Sequence, residues 1–469
     1  MAKLKREIGL VPAIATAVGI VVSSSALMML GQGFGLGGSA FIIAMILALL
    51  INLFVAFSFS ELSAVMPLAG GINHYTLPAM GPMIGIFGVL SGYLVVSVFG
   101  SSAEALIAGT VVSDFFIPGS NPAVVAAVFM VLLALVNIRG IKAFAYSQVF
   151  MAGTMIASMI IMSIIGLTGH GGGEPLPSSL TINMTAGGGI FSLLGIAFWL
   201  FIGMEFVCPM AEEVKKPRIF IPIAMISSLI IIFISDALFG SMALKYVDME
   251  TLSTSPYPHV TAASVLMGRT GQIWIGLVSL VATGSTLNTY LAAIPRMLYG
   301  MAKEGQFPAI FAKTNRWGSP YMGVILVLAL SCILLIFSSA QAQEIISLLV
   351  LASCICWIAV YVIAHLNVLI LRRKYPNMNR PFKVPFGPVL PVISMIGLVY
   401  MVYSIYPPGE IRNTIYLYAF LAIAACIIWS VLWVKLKMKK GLFETTPIEY
   451  LLNQAETTLE NPTEEKFIA

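Results

Sequence analysis

The sequence is poor in charge. Only 10% of its 469 residues are Asp, Glu, Lys or Arg, against 59% hydrophobic, whereas an ordinary soluble protein carries about 25% charged residues. A water-soluble chain of this size keeps roughly a quarter of its unfolded surface exposed, and so few polar side chains cannot cover it. A soluble enzyme is excluded on that ground. Histidine and cysteine are scarce too: His74, His170, His259 and His365 scatter among loops and helix ends, and Cys208, Cys332, Cys354, Cys356 and Cys426 lie in or beside apolar runs. The pair Cys354/Cys356 has no second pair or histidine at metal-ligand spacing, so no disulfide framework, metal site or cofactor is expected. A membrane-embedded enzyme would need clustered ligands at one depth, and none are clustered. No stretch is long enough for a soluble catalytic domain, and no repeat is visible in the sequence.

What the chain has is apolar runs of membrane-spanning length. Windows of about 20 residues predict twelve helices, at 11–31, 39–60, 83–115, 121–138, 146–167, 188–208, 219–244, 271–295, 321–340, 345–371, 387–406 and 413–434. An even number puts both termini on one side. The N-terminus, the 4–5, 6–7, 8–9 and 10–11 loops and the tail then hold 22 of the 25 Lys and Arg, leaving only Lys245, Arg269 and Arg412 opposite. The positive-inside rule puts that basic side in the cytoplasm. The excess of +5 is therefore topological and gives no reason to expect a nucleic acid partner. The first apolar run has no small-residue cleavage site and reads as a retained helix in the cytoplasmic membrane, not a signal peptide. The acidic tail 441–469 reads as a short helix or disorder.

Two spans are interrupted. Span 1 carries Gly19-Ile20-Val21-Val22-Ser23-Ser24-Ser25 at its middle, and span 6 carries Gly187-Gly188-Gly189 around its start, then Gly195 and Phe198 to Glu205. Small polar residues at that depth let a helix unwind, which is tolerated where the bared backbone lines a cavity. Interruptions at matching places in two halves point to the binding site of a secondary transporter. A channel or receptor predicts instead a polar face through the full thickness, or a sizeable soluble domain. Neither is present. Three acids also lie inside spans: Glu104 in span 3, Glu205 in span 6 and Asp236 in span 7. No Lys or Arg occupies a span centre to pair with them, so each either takes up a proton or faces a cationic ligand.

The loop motifs resemble the amino acid permeases of the amino acid, polyamine and organocation transporter superfamily. The resemblance rests on Glu61-Leu62-Ser63, Pro67-Leu68-Ala69-Gly70-Gly71 with Tyr75, Gly81-Pro82, Ser91-Gly92-Tyr93 and Asn137-Ile138-Arg139-Gly140-Ile141-Lys142. It continues through Phe198-Trp199 to Glu205, Glu212-Glu213-Val214-Lys215-Lys216-Pro217 to Pro222, Pro295-Arg296 to Gly305 and Arg380-Pro381-Phe382-Lys383-Val384-Pro385. These run in family order from about residue 7 to about residue 390.

The resemblance implies an all-α polytopic membrane protein of twelve transmembrane helices, with a leucine-transporter-like 5+5 inverted repeat and broken helices 1 and 6. It divides the chain into a first repeat at 1–167, a second at 168–371, two peripheral helices at 372–440 and a cytoplasmic tail at 441–469. It implies a secondary transporter, not an enzyme, that moves a small amino acid or related amine across the membrane by alternating access. The substrate-binding residues it points to are Val22, Ser23, Ser24, Ser25 and Ala26 in the first break, and Phe198, Trp199, Gly203 and Glu205 in the sixth. In the family a Gly-Ser-Gly holds the substrate carboxylate on backbone amides; here Ser23-Ser24-Ser25 stands in its place and both glycines are missing. Trp199 matches the aromatic that closes over the substrate. Coupling by protons or sodium, or exchange, stays open, with Glu104, Thr154, Ser285 and Thr286 as the candidate residues; Thr154 stands where some proton-linked relatives have a lysine. The alternatives are an amine or polyamine permease using Glu104 and Glu205 as counter-charges, and sodium symport.

Overall fold

The computed structural model describes residues 4–176, 189–338, 342–406 and 409–460, with the side chains of 337–347 and 460 left aside. Gly187 and Gly188 of the expected sixth interruption, Lys3, Lys466 and the tail acids Glu464 and Glu465 lie outside the described residues. Apart from one isolated β-bridge, the regular structure among the described residues is helical. Eight helical stretches are long and apolar enough to cross a membrane, and four shorter apolar helices accompany them.

The first apolar run folds as two pieces, α1 (Leu10–Val21) and α2 (Ser24–Gly37). The twelve residues of α1 rise only about 18 Å, well short of a hydrocarbon core of about 30 Å, so the two pieces must act in series. Next come α3 (Phe41–Val65), the short α4 (Ile72–Met80), and α5 (Pro82–Val89), which continues through a π-helical turn at Leu90–Val95 into α6 (Val96–Phe115). The turn contains Gly92, where a Cβ would come within 2.0 Å of the Val360 side chain. Only glycine lets this turn approach so closely the later helix Ala342–Lys374 that carries Val360.

Helices α7 (Pro122–Ile138) and α8 (Ile141–Leu167) follow, then the second interrupted run: α9 (Leu194–Trp199), an irregular turn, and a 3-10 helix over Met204–Met210 that contains Pro209. Beyond it lie α10 (Pro217–Tyr246), α11 (Met249–Thr254) and α12 (Pro258–Lys303). At 46 residues α12 would be about 69 Å long as one rod, and it is broken at Met267 and at Gly268, whose φ is +59°. The chain ends in α13 (Tyr321–Ser338), α14 (Ala342–Lys374), α15 (Val389–Tyr403), α16 (Glu410–Trp433) and α17 (Ile448–Glu460).

Helix α1 packs against α8, α10 and α12, and the 3-10 helix Met204–Met210 against α1, α10 and α12, so both interruptions sit at the centre of the bundle. The outer helices turn apolar side chains outward, among them Val124, Val128 and Leu132 of α7 and Phe420, Leu421 and Ile428 of α16. Such a surface suits lipid and not water.

One end of the bundle collects the basic loops. Ile8 forms a parallel bridge with Val214, Arg6 donates to Val214 O at 3.1 Å and to Thr458 O at 3.0 Å, and Gln454 donates to Glu304 at 2.9 Å. On the same face Arg296 and Glu213 form a buried ion pair at 2.6 Å, while Glu61 joins Arg372, Arg380 and the Val384 N–H. Much of the loop motif set is therefore scaffold: Glu61 fastens the Arg380-to-Pro385 segment, Glu212 accepts from Ala69 N at 3.1 Å, and Asn137 donates to Asn288 at 2.7 Å. Lys245, bonded to the carbonyls of Gly166 and Leu167, lies at the other end of α8 and α10.

Candidate functional site: a closed cavity between two broken helices

Helix α1 ends because Val22 and Ser23 are extended, with φ/ψ of −86°/105° and −126°/174°. Ser23 restarts the chain as an N-cap, its Oγ accepting the Ala26 N–H at 3.1 Å, as serine does at helix starts. The break leaves the last carbonyls of α1 without helical partners. Thr286 answers them, donating to Gly19 O at 3.0 Å. Gly19 itself must be glycine, since a Cβ there would lie 2.0 Å from Ser285 Oγ and 2.1 Å from Gln148 Nε2.

The second break follows Trp199. Gly203 takes a left-handed conformation with φ +118°, open to glycine at little cost, and its N–H donates to Tyr361 OH at 2.9 Å. A Cβ on Gly203 would crowd Trp357 at 3.1 Å and Ile20 at 3.2 Å. The two breaks thus approach each other, and glycine makes the contact possible.

Between them lies a narrow closed cavity. Ile20, Val21 and Ser23 line it from the first break, Trp199 and Ile202 from the second, and Gly100 and Glu104 from α6. Thr286 and Tyr290 of α12 and Val350 and Trp357 of α14 complete the wall. Glu104 is the one charged residue among these, and its partners are specific. It accepts from the Ser25 hydroxyl, from Ser25 N at 3.5 Å and from Thr283 Oγ1 at 3.3 Å. Ser25 Oγ in turn accepts the Trp199 indole N–H at 3.3 Å and lies 2.9 Å from Ser23 Oγ.

The expected site residues divide into two groups. Ser23, Trp199, Glu104 and Thr286 line the cavity, and Ser25 stands just behind them, bonded to Glu104 and Trp199. Ser24 turns away into α12, donating to Ser279 O at 2.9 Å and lying 2.7 Å from Ser279 Oγ and 2.8 Å from Thr283 Oγ1. Val22, Ala26, Phe198 and Gly203 are buried around the breaks without lining the cavity. Glu205 stands behind the wall: its carboxylate accepts from Trp357 Nε1 and from Tyr361 OH, each at 2.7 Å. The pairing of Glu104 and Glu205 across one ligand therefore lacks its geometry, because Trp357 stands between Glu205 and the cavity. Asp236 is buried on α10, away from the cavity lining.

Thr154 is half-buried on α8 and does not meet Ser285. The α8 residue that does is Gln148, whose Nε2 donates toward Ala15 O at 3.3 Å, Ser285 O at 3.3 Å, Ser285 Oγ at 2.8 Å and Thr289 Oγ1 at 2.9 Å. A lone amide inside an apolar span, as Gln148 is, is the signal in the sequence that marks this position. Tyr290, Val350 and Trp357 carried no such signal: aromatic and aliphatic residues in a span look the same whether they face lipid, core or cavity.

Comparison with known proteins agrees with this architecture. The family model described as amino acid permease matches residues 9–445. Among curated relatives, the branched-chain amino acid permease BcaP of Bacillus subtilis (strain 168) is 23% identical over 419 residues, covering 82% of this chain and 85% of its own. The serine/threonine exchanger SteT of the same organism is 25% identical over 406 residues, covering 82% and 88%. Among solved structures, a manganese transporter of Eremococcus coleocola aligns with a TM-score of 0.61 at 14% identity, over 92% of this chain and 97% of that one, and so shares the fold. The named curated relatives are transporters and not enzymes, and the chain belongs to the amino acid permease family.

Proposed function

We propose that this protein is a secondary transporter that moves a small amino acid or a closely related amine by alternating access across the cytoplasmic membrane. The observation that carries the reading is the meeting of two broken helices around a closed cavity with an acid and an aromatic lid. Unwound backbone at membrane depth is tolerated only where it is buried in protein or lines a cavity, and matching breaks in two halves of a chain point to a transporter's binding site. In this reading the chain crosses the membrane twelve times, both termini are cytoplasmic, and spans 1–5 and 6–10 form inverted repeats that rock against each other. Substrate enters beside Trp199, the indole closes over it, and the face held by Ile8 and Val214 then opens.

Sodium symport is the weaker alternative. The oxygens that would gather around a cation between α1 and α12 already surround the Gln148 amide, while Ser285 and Thr286 are committed to Gln148 and to Gly19. Coupling to protons or to exchange is compatible with the same cavity.

The test is ligand stabilisation of purified protein across the amino acids and common amines, followed by uptake into vesicles. A ligand at 100 times its dissociation constant stabilises by about 2.7 kcal/mol, which a melting curve reads readily. If no compound in either set stabilises the protein or enters vesicles, the transporter reading is wrong for these substrates.

A further inference from the structure

The N-terminus of α2 opens into the interrupted middle of span 1, and a helix N-terminus favours an anion through its free N–H groups and its dipole. In a transporter whose half-helix ends at the site, that is the place for an anionic group of the substrate. Here the place is taken. The carboxylate of Glu104, reaching over from α6, accepts both the N–H and the hydroxyl of Ser25 together with the hydroxyl of Thr283. The next donor is used as well, since Ala26 N bonds to Ser23 Oγ.

The contacts suit an ionised acid. The Ser25 N–H can only donate, and it is directed at the Glu104 carboxylate at the start of α2, where a negative charge is favoured; the Ser25 hydroxyl, which takes the Trp199 N–H, has Glu104 and Ser23 Oγ as its two possible acceptors. Among the described residues no Lys, Arg or His lines the cavity, so a second carboxylate would meet the negative charge of Glu104 with no cation of the protein beside it. The remaining walls suit the opposite charge: Trp199, Tyr290 and Trp357 present aromatic rings, and aromatic faces attract a desolvated cation.

We infer that Glu104 supplies from the protein the carboxylate that an amino acid would bring with it, so that the substrate is a small primary amine without a carboxylate. This rests on the transporter reading above and narrows it, and it departs from the amino acids named for the relatives. The ammonium pairs with the free edge of Glu104, and the apolar remainder lies against Ile20, Val21 and Ile202 under Trp199.

The experiment compares each amino acid with its own decarboxylated amine: valine with isobutylamine, serine with ethanolamine, phenylalanine with phenethylamine. Binding is read by thermal shift on purified protein, and transport by uptake into vesicles. A like charge set against a buried carboxylate costs several kcal/mol, so in at least one pair the amine binds about 100-fold or more tightly than its amino acid. Glu104→Gln, checked as a monodisperse species, loses amine binding at acid and at neutral pH alike, and Glu104→Asp keeps part of it. Wild-type protein that binds the amino acid of every pair as well as the amine overturns the inference and leaves the transporter reading standing. So does a Gln variant that keeps amine binding and loses only a pH dependence, because that is the behaviour of a proton carrier. If neither member of any pair binds or is moved, the transporter reading fails and this inference fails with it. Should Glu104→Gln not fold, the wild-type comparison alone decides.

Discussion

Trp199 and Arg296 mark two kinds of residue that a sequence does not distinguish, one facing the ligand and one holding the scaffold. Trp199 lines the cavity and is tethered by one hydrogen bond, to Ser25. Trp199→Ala removes the lid together with a half-buried ring packed at the edge of the core, so saturable uptake should disappear while the protein still expresses and folds with a lowered melting temperature. Wild-type uptake in that variant takes Trp199 out of the site. Arg296 is buried against Glu213, which has no other cation within ion-pair distance among the described residues. Arg296→Ala strands a buried carboxylate, a change that typically costs about 3–5 kcal/mol. We expect a large fall in thermal stability without any ligand present; an unchanged melting curve would show that the pair is dispensable. At this scale the sequence was informative wherever a polar group stood in an apolar run, as Glu104 and the serine triplet did. It was silent where a role depends on orientation: Ser24 and Ser25 are neighbours of one type, yet one stitches α2 to α12 and the other meets Glu104. Glu205 stood out equally in the sequence, and only the position of Trp357 removes it from the cavity.

The broken first helix is the element on which binding turns, and each serine in it has a separate task. Ser23 caps α2, and glycine at an N-cap costs only a few tenths of a kcal/mol, so Ser23→Gly should leave stability close to wild type and, since Ser23 also lines the cavity, weaken binding less than Ser25→Gly does. Ser25→Gly removes the hydroxyl shared by Glu104 and Trp199 and should weaken binding with the fold intact. Equal affinities in the two variants would mean that the hydroxyl of Ser25 plays no part. The crossing of α1, α8 and α12 yields a second prediction. Gln148 Nε2 has four oxygens within 3.3 Å, more acceptors than its two hydrogens can serve, and it fills the space in which those oxygens would close on a sodium ion. Uptake should therefore proceed equally in sodium and in choline buffers. A strict sodium requirement would show that Gln148 moves aside during the cycle. The existence of these elements was legible because apolar runs and Ser/Gly interruptions follow from composition. The π-helical turn at Leu90–Val95 and the break of α12 at Gly268 were not, since both depend on how neighbouring helices pack.

For the whole molecule, alternating access requires that one face open while the other is shut, and in this structure the face with the basic loops is shut. Ile8 and Val214 form a parallel bridge, with Ile8 N donating to Glu213 O at 2.9 Å and Lys215 N to Ile8 O at 2.9 Å. Helix α17 lies across the same seam, holding Arg6 through the Thr458 carbonyl, Arg218 through Glu456, and the end of α12 through Gln454 and Glu304. Charge patterning had grouped the termini with these loops on one side, but it could not reveal that the N-terminal segment is itself part of the closure, since a β-bridge of one residue leaves no periodic trace. If the bridge must separate in each cycle, a covalent link across it stops the cycle without touching the cavity. Paired residues of a bridge lie within the Cα separation a disulfide tolerates, so Ile8→Cys with Val214→Cys should cross-link under mild oxidation. The native cysteines are all free and mostly buried, which keeps the background low. The oxidised double variant should lose transport but keep ligand-induced thermal stabilisation, and a reductant should restore transport. Transport at the wild-type rate in fully cross-linked protein would mean that this face opens elsewhere, and the pathway would then have to bypass the seam between residue 8 and residue 214.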